Sequence, residues 1–281
     1  MDAEGYRADS RERWEAAAAG WREHRGTMQR DAMEVSRWML EAAGLQPGHT
    51  VLELAAGPGD TGLLAAELVA PGGRAIITDG AEAMVEIARA RAKEVGATNV
   101  ELRTMEAEWI DLPAASVDAV LARWGYMLLA DPEAALRETR RVLRPGGRVA
   151  LAAWDAAEHN PWLTRIGKVL IDRGLMEPDP PGTPGPLAFA VPGRIEELLD
   201  AAGFDDIEVQ AIDLEFHAGS LDAWWEQAVG TSGRVSGIVA RLSPADHYQL
   251  RDAVDAAYAE FVRSDGSVAV PGRTLVAAAS A

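Results

Sequence analysis

The chain has 281 residues, 48% of them hydrophobic and 25% charged, which suffices for a sizeable core without disulfide or metal staples. It contains no cysteine, and this excludes disulfides, thiolate zinc sites, cysteine nucleophiles and cysteine-ligated clusters. A formal net charge of -17 argues against nucleic acid or an anionic membrane surface as a partner.

The first stretch, "MDAEGYRADSRERWEAAAAGWREH", is charged and lacks the apolar core of a signal peptide. No run approaches the ~20 apolar residues of a membrane span, so a cytoplasmic enzyme without a membrane partner is expected. Residues 10–45 read as helices, with Trp14, Ala18 and Trp21, then Met33, Trp38 and Ala42, at helical spacing, and "GLQPGH" stops the pattern. These helices make an N-terminal cap, residues 1–45. Oligomeric state is left open by the sequence.

From residue 46 the rhythm changes. "TVLELAA", "RAIITD", "VELRTM", "SVDAVLAR" and "RVALAAW" are short apolar or alternating runs. Helix-patterned segments, "TGLLAAELV", "AEAMVEIARARAKEVG" and "PEAALRETRRVLRPGG", separate most of them. Strands alternating with helices predict a mostly parallel sheet with helices on both faces, the core spanning residues 46–154. The basic run "RETRRVLRPGGR" (137–148) reads as a solvated helix face followed by a turn.

Past Trp154, "DAAEHNPW" and the proline-dense "MEPDPPGTPGPLAF" (176–189) read as a surface loop or lid. A helix and strand follow, "PGRIEELLDAAGF" and "DIEVQAIDLEFHA". Residues 221–263 are again helical, and the chain ends in the strand-like "VAVPGRTLVAAAS". No internal repeat is visible. The expected layout is a single domain over residues 1–281, with insertions at 155–187 and 218–265 that shape the acceptor site.

The spacing Gly57-x-Gly59-x-x-Gly62 lies between an apolar run and a helical one. Such a turn lets backbone approach a ligand at a helix N-terminus, and many nucleotide folds use it. Glu53 discriminates between ligands. A carboxylate there would repel the pyrophosphate of a nicotinamide cofactor but suits S-adenosylmethionine, which carries a sulfonium and an ammonium and no phosphate. Solvent exposure, or a pairing with an arginine, is the alternative role for Glu53. Asp79, closing "RAIITD", stands where a carboxylate can accept ribose hydroxyls, which both ligands have.

The segments "VLELAAGPGDTG", "IITDGAEAMVEIARARA", "NVELRTMEAEWIDLP", "SVDAVLARWGYMLL" and "DPEAALRETRRVLRPGGRVALAAW", with "NPW" after them, occur in this order. Over roughly residues 14 to 165 the chain thereby resembles class I S-adenosylmethionine-dependent methyltransferases of the quinone-biosynthesis C-methyltransferase-like group. The resemblance implies a Rossmann-like sheet of seven strands, the last antiparallel, with cofactor along the C-terminal ends of the first four. It places Glu53, Ala55, Gly57 and Gly59 at the methionine end, Asp79 at the ribose, and Gly80 and Met84 along the adenosine. Glu106 and Ala107 fall beside the adenine amine, and Arg123 closes the pocket under the methionine portion. The group's usual loop glycine is here Ala55, tolerable if that backbone has negative φ; its usual aspartate near adenine is Glu106.

The acceptor should lie outside the strand ends, near Tyr126 and Met127 after the fourth strand and Trp154 and Trp162 after the fifth. Trp224 of the insertions, and Trp21 and His24 of the cap, could cover the same opening, which favours an apolar or aromatic small molecule. Each aromatic could instead simply pack a helix on the sheet. His159 and His217 are the candidate general bases, on the reactive side of the expected topology; no metal ligand set is present. Lys93 and Lys168, the only lysines, sit in no phosphate-loop pattern, which counts against a kinase or ATPase. The leading expectation is methyl transfer from S-adenosylmethionine. The alternatives are a protein that binds this cofactor without transferring the methyl group, and an NAD(P)-dependent oxidoreductase, for which no Tyr-x-x-x-Lys pair is recognisable.

Overall fold

In the computed structural model, which describes residues 2–180 and 182–281, seven strands form one sheet in the order β3-β2-β1-β4-β5-β7-β6. The strands are β1 (Thr50–Glu53), β2 (Arg74–Asp79), β3 (Val100–Thr104), β4 (Val117–Arg123), β5 (Leu143–Trp154), β6 (Asp205–Ala218) and β7 (Val268–Ser280). The first five run parallel, and β7 is antiparallel to both β5 and β6, with Leu151 opposite Ala277. The central strands are apolar along their length because helices cover both faces: Val51, Leu52, Ile76, Val120 and Leu121 are all buried. β1 lies between β2 and β4, so the chain reverses its direction of travel across the sheet at β1. Ligands of such sheets gather outside the carboxyl ends of the strands at that reversal.

Ten α-helices occur among the described residues. Within the core, α3 (Asp60–Leu68), α4 (Glu82–Glu94) and α5 (Pro132–Val142) follow β1, β2 and β4. α5 starts where Asp131 accepts the Ala134 N–H at 2.8 Å and Pro132 occupies the first turn. It stops at Val142, five residues short of the helical run expected from the sequence, and Leu143 is already in β5. The cause is Pro145, which cannot donate to a helical ladder and pushes Arg144 toward extended backbone.

After β5 come α6 (Pro161–Asp172), α7 (Arg194–Ala201), α8 (Leu221–Thr231), α9 (Gly233–Val239) and α10 (Pro244–Tyr258). Ser220, Ser232 and Ser243 cap the last three, each accepting a backbone N–H three residues on. The proline-rich run carries turns and no helix or strand among its described residues; Pro181 lies outside them. The N-terminal segment forms α1 (Ala3–Asp31) and α2 (Met33–Ala42). α1 crosses α8 at a pair of glycines, where a Cβ on Gly20 would fall 2.0 Å from the Gly230 carbonyl oxygen. No helix among the described residues is long and apolar enough to cross a membrane.

Candidate cofactor and acceptor site

Three acids stand at the carboxyl ends of β1, β2 and β3. Glu53 ends β1 and is 2% exposed. Its Oε2 accepts the Gly62 N–H at 2.9 Å in the first turn of α3. Gly62 is required there: a Cβ would come within 2.3 Å of that oxygen. Glu53 neither faces solvent nor forms an ion pair. Burial pushes its carboxyl up to about 8, against the opposing pull of Arg123 and of the Gly62 N–H. The group is therefore mostly neutral at pH 7, and a cation brought beside it would ionise it.

Asp79 ends β2 with both oxygens engaged, Oδ2 accepting the Gly57 N–H at 2.8 Å and Oδ1 the Ala81 N–H at 2.9 Å. It thereby ties the glycine loop to the start of α4. Burial raises it to about 6, with Glu106 and Glu15 adding repulsion. The loop needs its glycines: Gly57 and Gly59 have φ of 54° and 78°, and a Cβ on Gly59 would lie 2.9 Å from that of Ala88.

Ala55 departs from the sequence expectation. Its φ is 48°, the left-handed region, where an alanine is strained by about 1 kcal/mol or more. Room for its methyl comes from Gly125, where an added Cβ would sit 2.7 Å from the Ala55 Cβ. The two positions are a matched pair that local sequence could not reveal.

Just past the end of β2, Gly80 allows Glu106 to approach, since a Cβ on it would be 3.3 Å from Glu106 Oε2. Met84 and Ala107 are buried beside them. Glu108, which sequence reasoning missed, is buried next to this site. Its carboxylate pairs with Arg7 and accepts the Asp131 N–H at 2.8 Å. The one signal for it was an acid repeated at a two-residue interval in "MEAEW".

α1 runs along this whole row. Arg11 pairs with Glu106 at 2.6 Å, and the Glu15 carboxylate accepts the Glu82 and Ala83 N–H groups at 2.7 and 3.1 Å, capping α4. Trp14, Ala18 and Trp21 pack on Ala81, Met84 and Ile87. Arg25 pairs with the buried Asp60 at 2.8 Å. Trp21 and His24, expected to cover the acceptor opening, meet α8: the Trp21 Nε1–H donates to the Thr231 carbonyl at 3.0 Å, and His24 lies against Gly230. Arg11, Glu15 and Arg25 carried no sequence signal, because a charged residue on a long helix usually only solvates it.

On the acceptor side an aromatic row crosses the ends of four strands. Trp124 stacks on Trp154 at 4.1 Å, Trp162 meets Trp154 edge-on at 4.8 Å, and Trp162 stacks on Phe216 at 4.0 Å. Tyr126 and Met127 lie beneath this row as core. The Tyr126 hydroxyl is buried against the Thr139 hydroxyl at 2.6 Å, and burial pushes its ionisation upward. Both are corrected from acceptor contacts to packing residues, since the turn after β4 points them inward. Trp224 is buried against Tyr258, with ring centroids 5.3 Å apart.

The structure places neither histidine beside the cofactor acids. His159 Nδ1 meets Asp155 at 2.7 Å on an exposed turn. His217 lies between Asp31 at 3.2 Å and Glu215 at 3.0 Å, on edge strand β6 and four strands from β1. Its Nδ1 ties the end of α1 to β6 through Asp31, and its Nε2 meets Glu215 of the same strand. Among the described residues no group of three or more metal-binding side chains occurs.

Residues 54–151 match the family described as methyltransferase domain. Nocamycin O-methyltransferase of Saccharothrix syringae is 32% identical over 199 residues, covering 67% of this chain and 71% of that protein. The ubiquinone/menaquinone biosynthesis C-methyltransferase of Cellvibrio japonicus is 32% identical over 130 residues, covering 46% of this chain and 52% of that protein. The chain spans between a third and about half of the length of the first curated relatives it matches. In fold it is similar to the YcgJ protein of Bacillus subtilis, with TM-score 0.60 and 20% identity, covering 88% of this chain and 98% of that one. The strand order, the acid before the glycine loop and these relatives agree: the chain belongs to the class I S-adenosylmethionine-dependent methyltransferases.

Proposed function

We propose that the protein transfers the methyl group of S-adenosylmethionine to an apolar or aromatic small molecule. The observation that carries the reading is Glu53, a buried carboxyl at the mouth of the glycine loop that forms no ion pair among the described residues and is bonded to one backbone N–H. A ligand with an ammonium and a sulfonium supplies a cation that ionises this carboxyl and pairs with it, whereas a pyrophosphate would keep it protonated and gain no charge pairing. The glycine loop leaves room for such a ligand at Gly57, where an added Cβ would meet nothing within 4 Å, while Gly59 and Gly62 let the loop and α3 close on Ala88 and Glu53.

When bound, S-adenosylmethionine supplies an electrophilic methyl on sulfur. The chain's residues bind and align. Glu53 and Gly57 hold the amino-acid end, Asp79 accepts from the ribose hydroxyls, and Glu106 with Ala107 lines the adenine. Trp124 and Trp154 offer an apolar wall for the acceptor, and α1 excludes water from the row of acids. Alignment of nucleophile, methyl and sulfur is the main catalytic resource, since no side chain among those described is placed as a free base near Glu53. In this reading residues 46–154 hold the cofactor, 1–45 cap it, and the insertions 155–187 and 218–265 build the acceptor side. The net charge of -17 supports a small molecule over nucleic acid, and a cytoplasmic setting supplies the cofactor.

Calorimetric titration tests the first step. S-adenosylhomocysteine should bind saturably and NADH should not; micromolar NADH binding with no response to S-adenosylhomocysteine overturns the reading. Labelled cofactor with quinols, phenols and amines then identifies the acceptor atom.

A further inference from the structure

Arg123 ends β4, beside Glu53 at the end of β1, and it differs from those half-buried arginines that are neutralised by an acid. Arg7, Arg25 and Arg251 each meet a carboxylate in an ion pair. Arg123 meets none among the described residues, and its guanidinium makes one hydrogen bond there, Nη1 to Ser36 Oγ at 3.1 Å. The acids near it are otherwise committed. Asp60 is held by Arg25 at 2.8 Å, and Glu53 is bonded to Gly62 and mostly neutral at pH 7. Burial disfavours the charged form of Arg123, yet a guanidinium stays protonated, so a cation stands partly desolvated with most of its donors unused.

The structure also holds this cation still. Ser36 is buried and shares a hydrogen bond with Thr61 at 3.3 Å, fixing Nη1 against the start of α3. On the other side the guanidinium lies over the Trp124 ring, 5.0 Å from its centroid. Trp124 has a φ of 61°, a genuine outlier for a bulky side chain. Three contacts maintain it: its N–H donates to the Ala152 carbonyl at 2.9 Å, its Nε1–H to Thr274 Oγ1 at 2.9 Å, and its ring stacks on Trp154. Strain that the surroundings over-determine is characteristic of a residue that presents a functional group. Here it braces the arginine.

We propose that Arg123 is an oxyanion receptor, its free donors taking an ionised oxygen delivered by a ligand at the end of β4. The proposal rests on the cofactor reading above for the ligands that reach it. Two sources share this chemistry: the α-carboxylate of the cofactor, complementary to Glu53 taking the ammonium, and an ionised carboxylate or phenolate on the acceptor, against the Trp124 and Trp154 wall. A planar guanidinium with parallel donors suits either.

The test uses the full chain with Arg123→Met, which removes the charge at similar length, and Arg123→Lys, which keeps the charge without the fork. Cooperative melting establishes that each is folded. In the first arm, calorimetry compares S-adenosylhomocysteine with its decarboxylated analogue. If the cofactor is the source, the parent prefers the carboxylate form by on the order of 10- to 100-fold, and Arg123→Met erases that preference. In the second arm, 4-nitrophenol is titrated by its absorbance in the presence of S-adenosylhomocysteine. If the acceptor is the source, bound phenol ionises at lower pH than free phenol in the parent and not in Arg123→Met. Arg123→Lys should fall between, and it carries the test if the methionine variant does not fold. Equal behaviour of parent and folded variant in both arms, absence of binding included, overturns the proposal. A parent that binds no S-adenosylhomocysteine but still ionises the phenol through Arg123 would sink the cofactor reading and leave the receptor standing.

Discussion

At the scale of single residues, burying Glu53 carries a cost to folding that its proposed binding role would draw on. Its carboxyl ordinarily ionises near 4.5, and in the fold near 8. The fold therefore favours the protonated form, and that stability is fully present below about pH 4.5 and is lost as pH rises through about 8. With each pH unit worth about 1.4 kcal/mol, the loss across this window is on the order of a few kcal/mol. Glu53→Gln keeps the acceptor for the Gly62 N–H and cannot ionise. The ligand-free variant should melt higher than the parent at pH 8 and with a flatter dependence from pH 5 to 8, while binding S-adenosylhomocysteine at least tenfold more weakly. Melting curves and calorimetry check both halves. A parent whose stability does not fall over that range would show that the carboxyl is not held neutral. Glu53 and Asp79 were legible because an acid at a strand end has one position relative to the glycine loop. The left-handed Ala55 was not, since its tolerance depends on Gly125, 70 residues away in the turn after β4.

At the scale of elements, α1 contacts the proposed cofactor residues in order along the cleft, from Glu106 through α4 to Asp60. Only Ala17, Ala18 and Met28 of its 29 residues are fully buried, so polar latches and two half-buried tryptophans carry much of its attachment. Exposed ion pairs such as Arg11 with Glu106 contribute little, about 0 to 1 kcal/mol each, which is what a lid reading of α1 requires. Hydrogen exchange over residues 10–30 should slow when S-adenosylhomocysteine binds, and Arg25→Ala should raise exchange in the free protein toward that of a detached helix. Equal protection with and without ligand would make α1 a fixed part of the fold and end its gating role. The helix itself was plain from its periodicity. Its partners were not, because periodicity reports which face is apolar and is silent on what that face meets.

At the scale of the whole molecule, the charge of -17 sets a long-range preference that the cofactor's cationic end shares and polyanions do not. The protein should show no association with duplex DNA or with anionic vesicles at about 50 mM salt, where basic proteins bind most strongly. A shift of either by the protein, lost on adding salt, would reveal a basic face that the net charge conceals. The alternation of short apolar runs with amphipathic ones, and the place of each acid relative to its strand, determined the sheet, its helices and the row of acids at the strand ends, because these are local periods of two and 3.6 residues written along the chain. What only the tertiary structure decided is which distant groups meet: Arg25 with Asp60, Glu15 with the start of α4, and His217 with Asp31. Those pairings join segments tens to hundreds of residues apart, and only the packing of α1 across the strand ends brings them within bonding distance.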